Sequence, residues 1–168
     1  MQAYLDILDY DGMKSVLREA DMLKIKDNKN VDPNDTIDFL SFKKIIKAQE
    51  LLLYGCYRLQ YEVGKKFAFY LFPWGKPFEE IIQEINVLIK TNWAVRIIDQ
   101  GKNSVTVEIQ NCIFCSEVGV PCNLFTGFLV TSLKKAIPDN RRVIYTNEDE
   151  KIPDLTHKPY ILKLIWKK

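Results

Sequence analysis

The size, composition and charge of this chain fit one globular domain. It has 168 residues, of which 47% are hydrophobic and 27% charged, and its formal net charge is +2. This length can bury one sizeable core, and the charge is too small for the basic face that nucleic-acid-binding domains usually carry. We therefore expect a single domain over residues 1–168 that binds no nucleic acid.

The N-terminal half has the residue pattern of helices. In YDGMKSVLREADMLKI, apolar residues recur at helical spacing, and Asp9 or Asp11 is placed to cap the start. A long helical region follows from about residue 39 to 72, where Gly55 and Gly64 predict a bend or a close helix contact. A further helix, FEEIIQEINVLIK, begins after the segment PWGKP.

The C-terminal half changes to the alternating pattern of strands. From Trp93 the apolar period becomes two, and DQGKN separates two strands of an antiparallel hairpin. A cysteine-rich segment, a helix over about residues 123–136, and strands near 142–147 and 159–167 follow. The order predicts an α+β fold, with N-terminal helices packed on one face of an antiparallel, roughly four-stranded sheet and a β-β-α-β-β C-terminal half.

The sequence also carries expectations about location. No apolar stretch approaches the roughly 20 residues of a membrane-spanning helix, and the N-terminus MQAYLDILDYDG has acids where a signal peptide has bases. We expect a cytoplasmic protein with reduced thiols. In that setting, clustered cysteines favour metal or redox chemistry over a disulfide framework.

Three of the four cysteines lie between the predicted hairpin and the helix after it. Cys112 and Cys115 have the spacing of a zinc knuckle, and Cys122 follows a turn made by Gly119 and Pro121. Three thiolates on one loop suit a tetrahedral zinc ion with a fourth position open. Cys122 also lies near a helix N-terminus, where the helix dipole favours a thiolate.

Several alternatives remain open for this segment. The fourth ligand could be Cys56, Glu117 or His157, and the pattern does not decide among them. A C-x-x-C pair after a strand is also typical of thioredoxin-like redox proteins, although SEVGVP interrupts the helix that such a motif needs. The simplest alternative is that the cysteines are small apolar groups of the core.

The cysteine segment VTVEIQNCIFCSEVGVPCNLFTGFLVTSL resembles the C-terminal signature of vinyl-4-reductase-type domains. YDGMKSVLREA and YRLQYEVGKKFA are similar to earlier helices of that family, so the resemblance covers about residues 10–137. The positions that match the signature are Asn111, Cys112, Cys115, Cys122 and Gly127.

The resemblance implies a fold shared with Bet-type vesicle-tethering subunits and with the sensor domains of phenol-responsive activators. It implies a module that binds hydrocarbons, with a structural zinc beside the ligand pocket. Cys115 and Cys122 match the family's zinc-binding cysteines, and Cys112 stands near the position of its glutamate ligand. The family's upstream cysteine has no counterpart near Leu88.

The sequence thus predicts a module that binds an apolar small molecule and performs no catalysis. With a single histidine, His157, the sequence shows no Ser-His or Cys-His catalytic arrangement. It also has no glycine-rich nucleotide loop. The alternative is a protein-interaction or scaffold subunit of the same fold. We also expect a homodimer through the helical half, helped by Gly55 and Gly64. The aromatic residues expected at the pocket are Tyr54, Tyr57, Tyr61, Phe114, Phe125 and Phe128.

Overall fold

A computed structural model of the chain describes residues 1–27, 37–88, 92–147 and 160–167. Its α-helices are α1 (Gln2–Glu19), α2 (Phe39–Leu52), α3 (Tyr57–Leu71), α4 (Phe78–Leu88) and α5 (Asn123–Lys134). Its strands are β1 (Ala94–Gly101), β2 (Ser104–Gln110), β3 (Arg142–Asn147) and β4 (Tyr160–Lys167). A 3-10 turn (Leu23–Asp27) and a π-helix (Ile113–Val118) complete the order. The predicted α+β fold is confirmed.

The sheet has the strand order β1-β2-β4-β3, with every neighbouring pair antiparallel. The predicted hairpin is β1 and β2, in which Val95 pairs with Ile109. The last strand, β4, then lies between β2 and β3, and Val107 pairs with Leu162. One face of the sheet is buried through apolar side chains at alternate positions: Val95, Val105, Val107, Ile109, Leu162 and Leu164.

The helical region predicted over residues 39–72 is divided into α2 and α3. Gly55 has φ of +76° in the connection, a conformation that suits glycine, so the predicted bend lies there. Gly64 is within α3 and faces α5, where an added Cβ would overlap the carbonyl oxygen of Leu124. Gly127 of α5 faces α3 in the same way, toward the carbonyl oxygen of Tyr61.

Polar side chains cap the second part of α1 and join α4 to the sheet. Asp9, at a kink in α1, accepts a hydrogen bond from the backbone N–H of Gly12 (2.9 Å), so this predicted cap is confirmed. The Asn86 side chain of α4 donates to the Val95 carbonyl (2.9 Å) and accepts from the Val95 N–H (2.8 Å). These two hydrogen bonds join α4 to β1, and they use the backbone groups of Val95 as a neighbouring strand would. No helix within the described ranges combines the length and apolarity that crossing a bilayer requires.

Candidate functional site: a sulfur cluster beside an aromatic cavity

The cysteine segment folds into a π-helix followed by a reverse turn. Cys112 precedes the π-helix, and its carbonyl accepts a hydrogen bond from the Ser116 N–H (2.8 Å). Gly119 ends the π-helix with a left-handed backbone (φ +76°), and the Val120 N–H then donates to the Phe114 carbonyl (2.9 Å). This turn returns the chain to Cys122, the residue before α5. π-helical turns are rare and often occur at functional sites.

Three sulfur atoms meet at this turn. Cys115 and Cys122 are joined by a disulfide, with Cα atoms 6.4 Å apart, so the expectation of reduced thiols is wrong for this pair. The Cys112 sulfur is a free thiol that lies 3.3 Å from the Cys122 sulfur. Cys112 is fully buried, and this burial raises the pKa of its thiol, while the backbone N–H groups of Cys115 and Phe114 lower it. The predicted convergence of the three cysteines is present.

Two of the residues considered as a fourth ligand, Cys56 and Glu117, are not part of this cluster. Among the described residues, the acidic, histidine and cysteine ligand atoms that lie within 4.8 Å of one another here are the three sulfurs alone. Cys56 is exposed at the start of α3, and Glu117 is exposed on the π-helix. His157 lies outside the described residues.

An aromatic cavity of about 220 Å³ lies next to the sulfur cluster. Its described wall comes from α2, α3, α5, the π-helix, the end of α4 and the residue before β1. Among these side chains, the indole N–H of Trp93 is the one polar group, and it can only donate a hydrogen bond. The lining residues are Phe42, Ile46, Phe67, Leu71, Leu88, Trp93, Phe114, Leu124, Phe125 and Phe128.

Ring contacts hold one wall of the cavity in place. Phe125 stacks on Phe114 with ring centroids 5.4 Å apart, and it meets the Trp93 ring edge-on at 5.3 Å. Phe42 meets Phe114 edge-on at 5.9 Å. Leu71 and Leu88 are 49% and 45% exposed, so the cavity opens to solvent between the ends of α3 and α4.

The residues expected at the pocket are divided between this cavity and the surface. Phe114, Phe125 and Phe128 line the cavity. Tyr54 and Tyr57 are 79% and 49% exposed and lie outside its wall. Tyr61 stacks on Tyr145 of β3 (6.1 Å, 12°), and burial is the main cause that raises the pKa of its hydroxyl.

Sequence reasoning missed most of the cavity wall on α2, α3 and α4. Phe42 lies on α2 at a position of the apolar helical pattern, and Phe67, Leu71 and Leu88 have no separate signal in the sequence. A helical stripe reports that a side chain is buried but does not report whether it fills the core or borders an empty volume.

The comparisons with known proteins identify a fold. No family model matches the sequence, and no curated protein matches it either. H-NOX domains are among the solved structures that match, and the alignment with each of those described below covers 99% of this chain. One is a single-residue mutant of the T. tengcongensis H-NOX, with 15% identity, 93% of its chain covered and a TM-score of 0.61.

Two other matching structures have names that describe what they bind. An oxygen-binding H-NOX domain related to soluble guanylate cyclases has 14% identity, 90% of its chain covered and a TM-score of 0.58. A structure concerned with heme distortion in the H-NOX family has 15% identity, 89% coverage and a TM-score of 0.58. At such identities the likeness shows that this chain has the H-NOX fold, and it shows nothing finer.

Two expectations from the sequence are therefore wrong. The resemblance to vinyl-4-reductase-type domains is contradicted, because the matching structures are H-NOX domains. The local pattern around Cys112 and Cys122 had suggested a family that the whole fold does not support. The structural zinc is contradicted as well, because the matching structures point to heme as the cofactor of this fold. The meeting of three sulfurs is not by itself a sign of zinc.

The described wall of the cavity does not fit heme. Heme iron is held by an axial His, Cys, Met or Tyr, and the described residues that line the cavity include none of these. The volume of about 220 Å³ is also below the roughly 300–1,000 Å³ of pockets for drug-sized ligands. Cys112 does not line the cavity, and its sulfur is buried beside that of Cys122. We therefore derive no heme chemistry for this chain.

Proposed function

We propose that this chain is a small-molecule-binding module of the H-NOX fold whose ligand is a compact apolar molecule. The observation that carries the proposal is the aromatic cavity, whose described side chains offer almost entirely apolar surface. An apolar cavity of about 150 Å³ is enough to bind benzene. A volume of about 220 Å³ therefore suits one aromatic ring with a short alkyl group.

The wall also favours a hydrocarbon over a phenol. None of the described lining side chains can accept the hydroxyl proton, because the indole N–H of Trp93 is a donor only. An unpaired hydroxyl in an apolar site costs about 1–3 kcal/mol. We accordingly expect toluene to bind more tightly than phenol, although the two molecules have similar shapes.

The scaffold alternative predicts a different use of the same fold. A scaffold would have a collapsed core and an extended apolar surface, whereas a ligand-binding module needs a cavity that a ligand can enter. The opening between Leu71 and Leu88 supports the second use. The proposal includes no catalytic step.

A thermal-shift comparison of toluene and phenol tests the proposal. Anything that binds only the folded state raises its stability, by about 2.7 kcal/mol at a ligand concentration 100 times Kd. For a chain of this length that corresponds to a rise in Tm of roughly 5–10 °C. We expect this rise with toluene and a smaller one with phenol.

A pair of tryptophan substitutions in α3 makes the test specific to the cavity. Leu71→Trp places an indole at the cavity mouth and should abolish the toluene shift, because Leu71 is half-exposed and the larger ring can cover the opening. Leu59→Trp is the matched control, since Leu59 is 39% exposed on the same helix and does not line the cavity. If neither toluene nor phenol raises the Tm of the native chain, the scaffold function replaces the ligand-binding one.

Three broader sequence predictions remain part of this proposal. We propose that residues 1–168 act as one domain, that the protein is cytoplasmic, and that two chains pair through the helical half. Gly64 does not support the pairing of two chains, because its missing side chain allows α3 to approach α5 of the same chain. Light scattering at micromolar concentrations measures the pairing, and a mass of 19.6 kDa at every concentration contradicts it.

A further inference from the structure

The sulfur cluster contains both partners of a thiol–disulfide exchange. A free thiol on Cys112 lies 3.3 Å from the sulfur of Cys122, which is already bonded to Cys115. Exchange proceeds by attack of a thiolate on one sulfur of a disulfide, so it needs a thiol within contact distance of that sulfur. Cys56, the other free cysteine, is exposed and lies outside the cluster.

The backbone around the cluster holds this arrangement from both sides. The Cys112 carbonyl accepts from the Ser116 N–H (2.8 Å), and the Cys122 carbonyl accepts from the Thr126 N–H (2.7 Å). The first bond fixes Cys112 to the π-helix, and the second fixes Cys122 to the first turn of α5. Burial, the larger effect, raises the pKa of the Cys112 thiol, and the backbone N–H groups of Cys115 and Phe114 offset part of that rise.

We propose that Cys112 is the attacking thiol of an intramolecular exchange in which Cys122 is the shared sulfur. The Cys112 thiolate forms a bond to the Cys122 sulfur as the bond between Cys122 and Cys115 breaks. Cys115 leaves with the electron pair of that bond and takes up the proton that Cys112 lost. One disulfide replaces another, so the step itself uses no oxidant or reductant.

The exchange would act on the wall of the aromatic cavity. Phe114 lies between Cys112 and Cys115 in the π-helix, and its ring stacks on Phe125 of α5. When Cys122 is bonded to Cys115, α5 is linked to the residue after Phe114. When Cys122 is bonded to Cys112, α5 is linked to the residue two positions before Phe114. The consequence for ligand affinity rests on the proposed function, whereas the exchange itself does not.

Differential labelling of the thiols tests the exchange without any ligand. The full chain, equilibrated with oxidised and reduced glutathione, is quenched in acid, and its free thiols are blocked with N-ethylmaleimide. The disulfides are then reduced and labelled with the deuterated reagent, and cleavage after Glu117 separates Cys122 from the other two cysteines. We expect the heavy label on Cys122 throughout and a division of the light label between Cys112 and Cys115.

Single substitutions show whether each sulfur can reach Cys122. We expect Cys115→Ser to form the Cys112–Cys122 disulfide within about tenfold of the rate at which Cys112→Ser forms the Cys115–Cys122 disulfide. Cys56→Ser is the control that should leave the labelling pattern unchanged. Circular dichroism establishes that each variant is folded, and Cys115→Ala replaces the serine variant if that variant is not.

Two results overturn the proposal. One is a folded Cys115 variant that forms no disulfide between Cys112 and Cys122 under the same glutathione mixture. The other is light label confined to Cys112 in the native chain at exchange equilibrium. Because neither readout uses toluene or phenol, failure of the exchange and failure of the ligand-binding function are separate results.

Discussion

At the scale of single residues, two glycines set the distance between α3 and α5. A Cβ on Gly64 would overlap the carbonyl oxygen of Leu124 and lie 2.8 Å from the Phe128 nitrogen. Gly127 approaches the Tyr61 carbonyl from the opposite helix. Backbone atoms cannot rotate away as a flexible side chain can, so any larger residue must push the helices apart. That separation would disturb Phe128, which lines the cavity.

Gly64→Ala should therefore destabilise the protein even though alanine favours helices. Helix propensity alone predicts a gain of up to about 1 kcal/mol in the free energy of unfolding. Overpacking a well-packed core typically costs about 1–3 kcal/mol and occasionally more, and we expect a net loss near the upper end of that range. Urea denaturation measures it. Arg58→Ala, at an exposed position of α3, should change the free energy of unfolding by no more than about 0.5 kcal/mol. A stabilised Gly64→Ala variant would show that the helices are not in close contact.

At the scale of elements, the end of α3 is held by a buried lysine. The ammonium group of Lys135, just after α5, donates hydrogen bonds to the carbonyl oxygens of Ala68 (2.8 Å), Phe69 (3.1 Å) and Phe72. It also lies 5.4 Å from the centre of the Phe69 ring. Helix C-terminal carbonyls lack partners within the helix and attract cations. Lys135 thus joins α5 to the end of α3 that borders the cavity mouth.

Replacing this lysine should loosen that end of α3. Lys135→Met keeps a long side chain but removes the ammonium donor from these carbonyls, of which that of Ala68 keeps its bond from the Phe72 N–H (3.1 Å). Hydrogen bonds to charged groups contribute about 1.5–3 kcal/mol each. We expect the free energy of unfolding to fall by about 2–3 kcal/mol in total, since water can reach some of the carbonyls. Lys134→Met is the neighbouring control. Equal stability of the two variants in urea denaturation would refute the capping role.

A second contact between elements gives a pH dependence. The Asp6 carboxylate of α1 accepts hydrogen bonds from the Tyr70 hydroxyl (2.6 Å) and the Gln2 amide (2.7 Å), and it pairs with Lys66 (3.1 Å). These partners, Tyr70 first, lower the pKa of Asp6 from 3.8 to about 2. The charged carboxylate therefore stabilises the folded state above the unfolded pKa, and this stability is lost as the pH falls through the folded pKa.

Asp6→Asn should reproduce this loss at neutral pH. We expect the native chain to be more stable than the variant at pH 5–7, and the difference to shrink as the pH falls from about 4 to about 2. Urea denaturation at several pH values measures the difference. Tyr70→Phe is the paired variant, because loss of the strongest donor should raise the Asp6 pKa, which NMR titration of the carboxyl carbon reports. A difference that grows on acidification contradicts the contact.

At the scale of the whole molecule, the fold does not identify a ligand, whereas the cavity limits what can bind. The H-NOX fold is shared with structures whose names describe heme and oxygen binding. The described wall of this cavity offers no axial ligand and a volume of about 220 Å³. A fold can carry unrelated functions, because function depends on the residues of the site. We therefore assign the ligand from the cavity.

The assignment predicts that hemin will not form a specific complex with this chain. Titration should give no sharp Soret band at one equivalent, because iron without a protein ligand remains in a solvent-like environment. Absorbance spectroscopy with and without saturating toluene measures this, and Leu71→Trp serves as the cavity-blocked control. A one-to-one Soret complex that toluene displaces and Leu71→Trp abolishes would mean that heme occupies the cavity after all.

The sequence by itself determined the secondary structure and the class of fold. Alternating apolar residues around DQGKN predicted the hairpin of β1 and β2, and the apolar spacing after Asp9 predicted the part of α1 that follows its kink. These patterns are informative because side-chain direction repeats every two residues in a strand and about every 3.6 in a helix. Burial of one face therefore produces a periodic pattern of apolar residues within a short stretch of sequence. The cysteine spacing was local too, and it correctly placed three sulfurs on one turn.

Only the tertiary structure decided which distant residues meet and what they enclose. Phe42, Leu71 and Phe128 come from three helices, and no local pattern shows that their side chains surround an empty volume. For the same reason, the local cysteine pattern indicated the wrong family and the wrong cofactor. The pattern around Cys112 does not reveal whether a fourth ligand lies nearby. Such contacts depend on the packing of segments far apart in the chain, where volume and close approach at positions such as Gly64 decide the outcome.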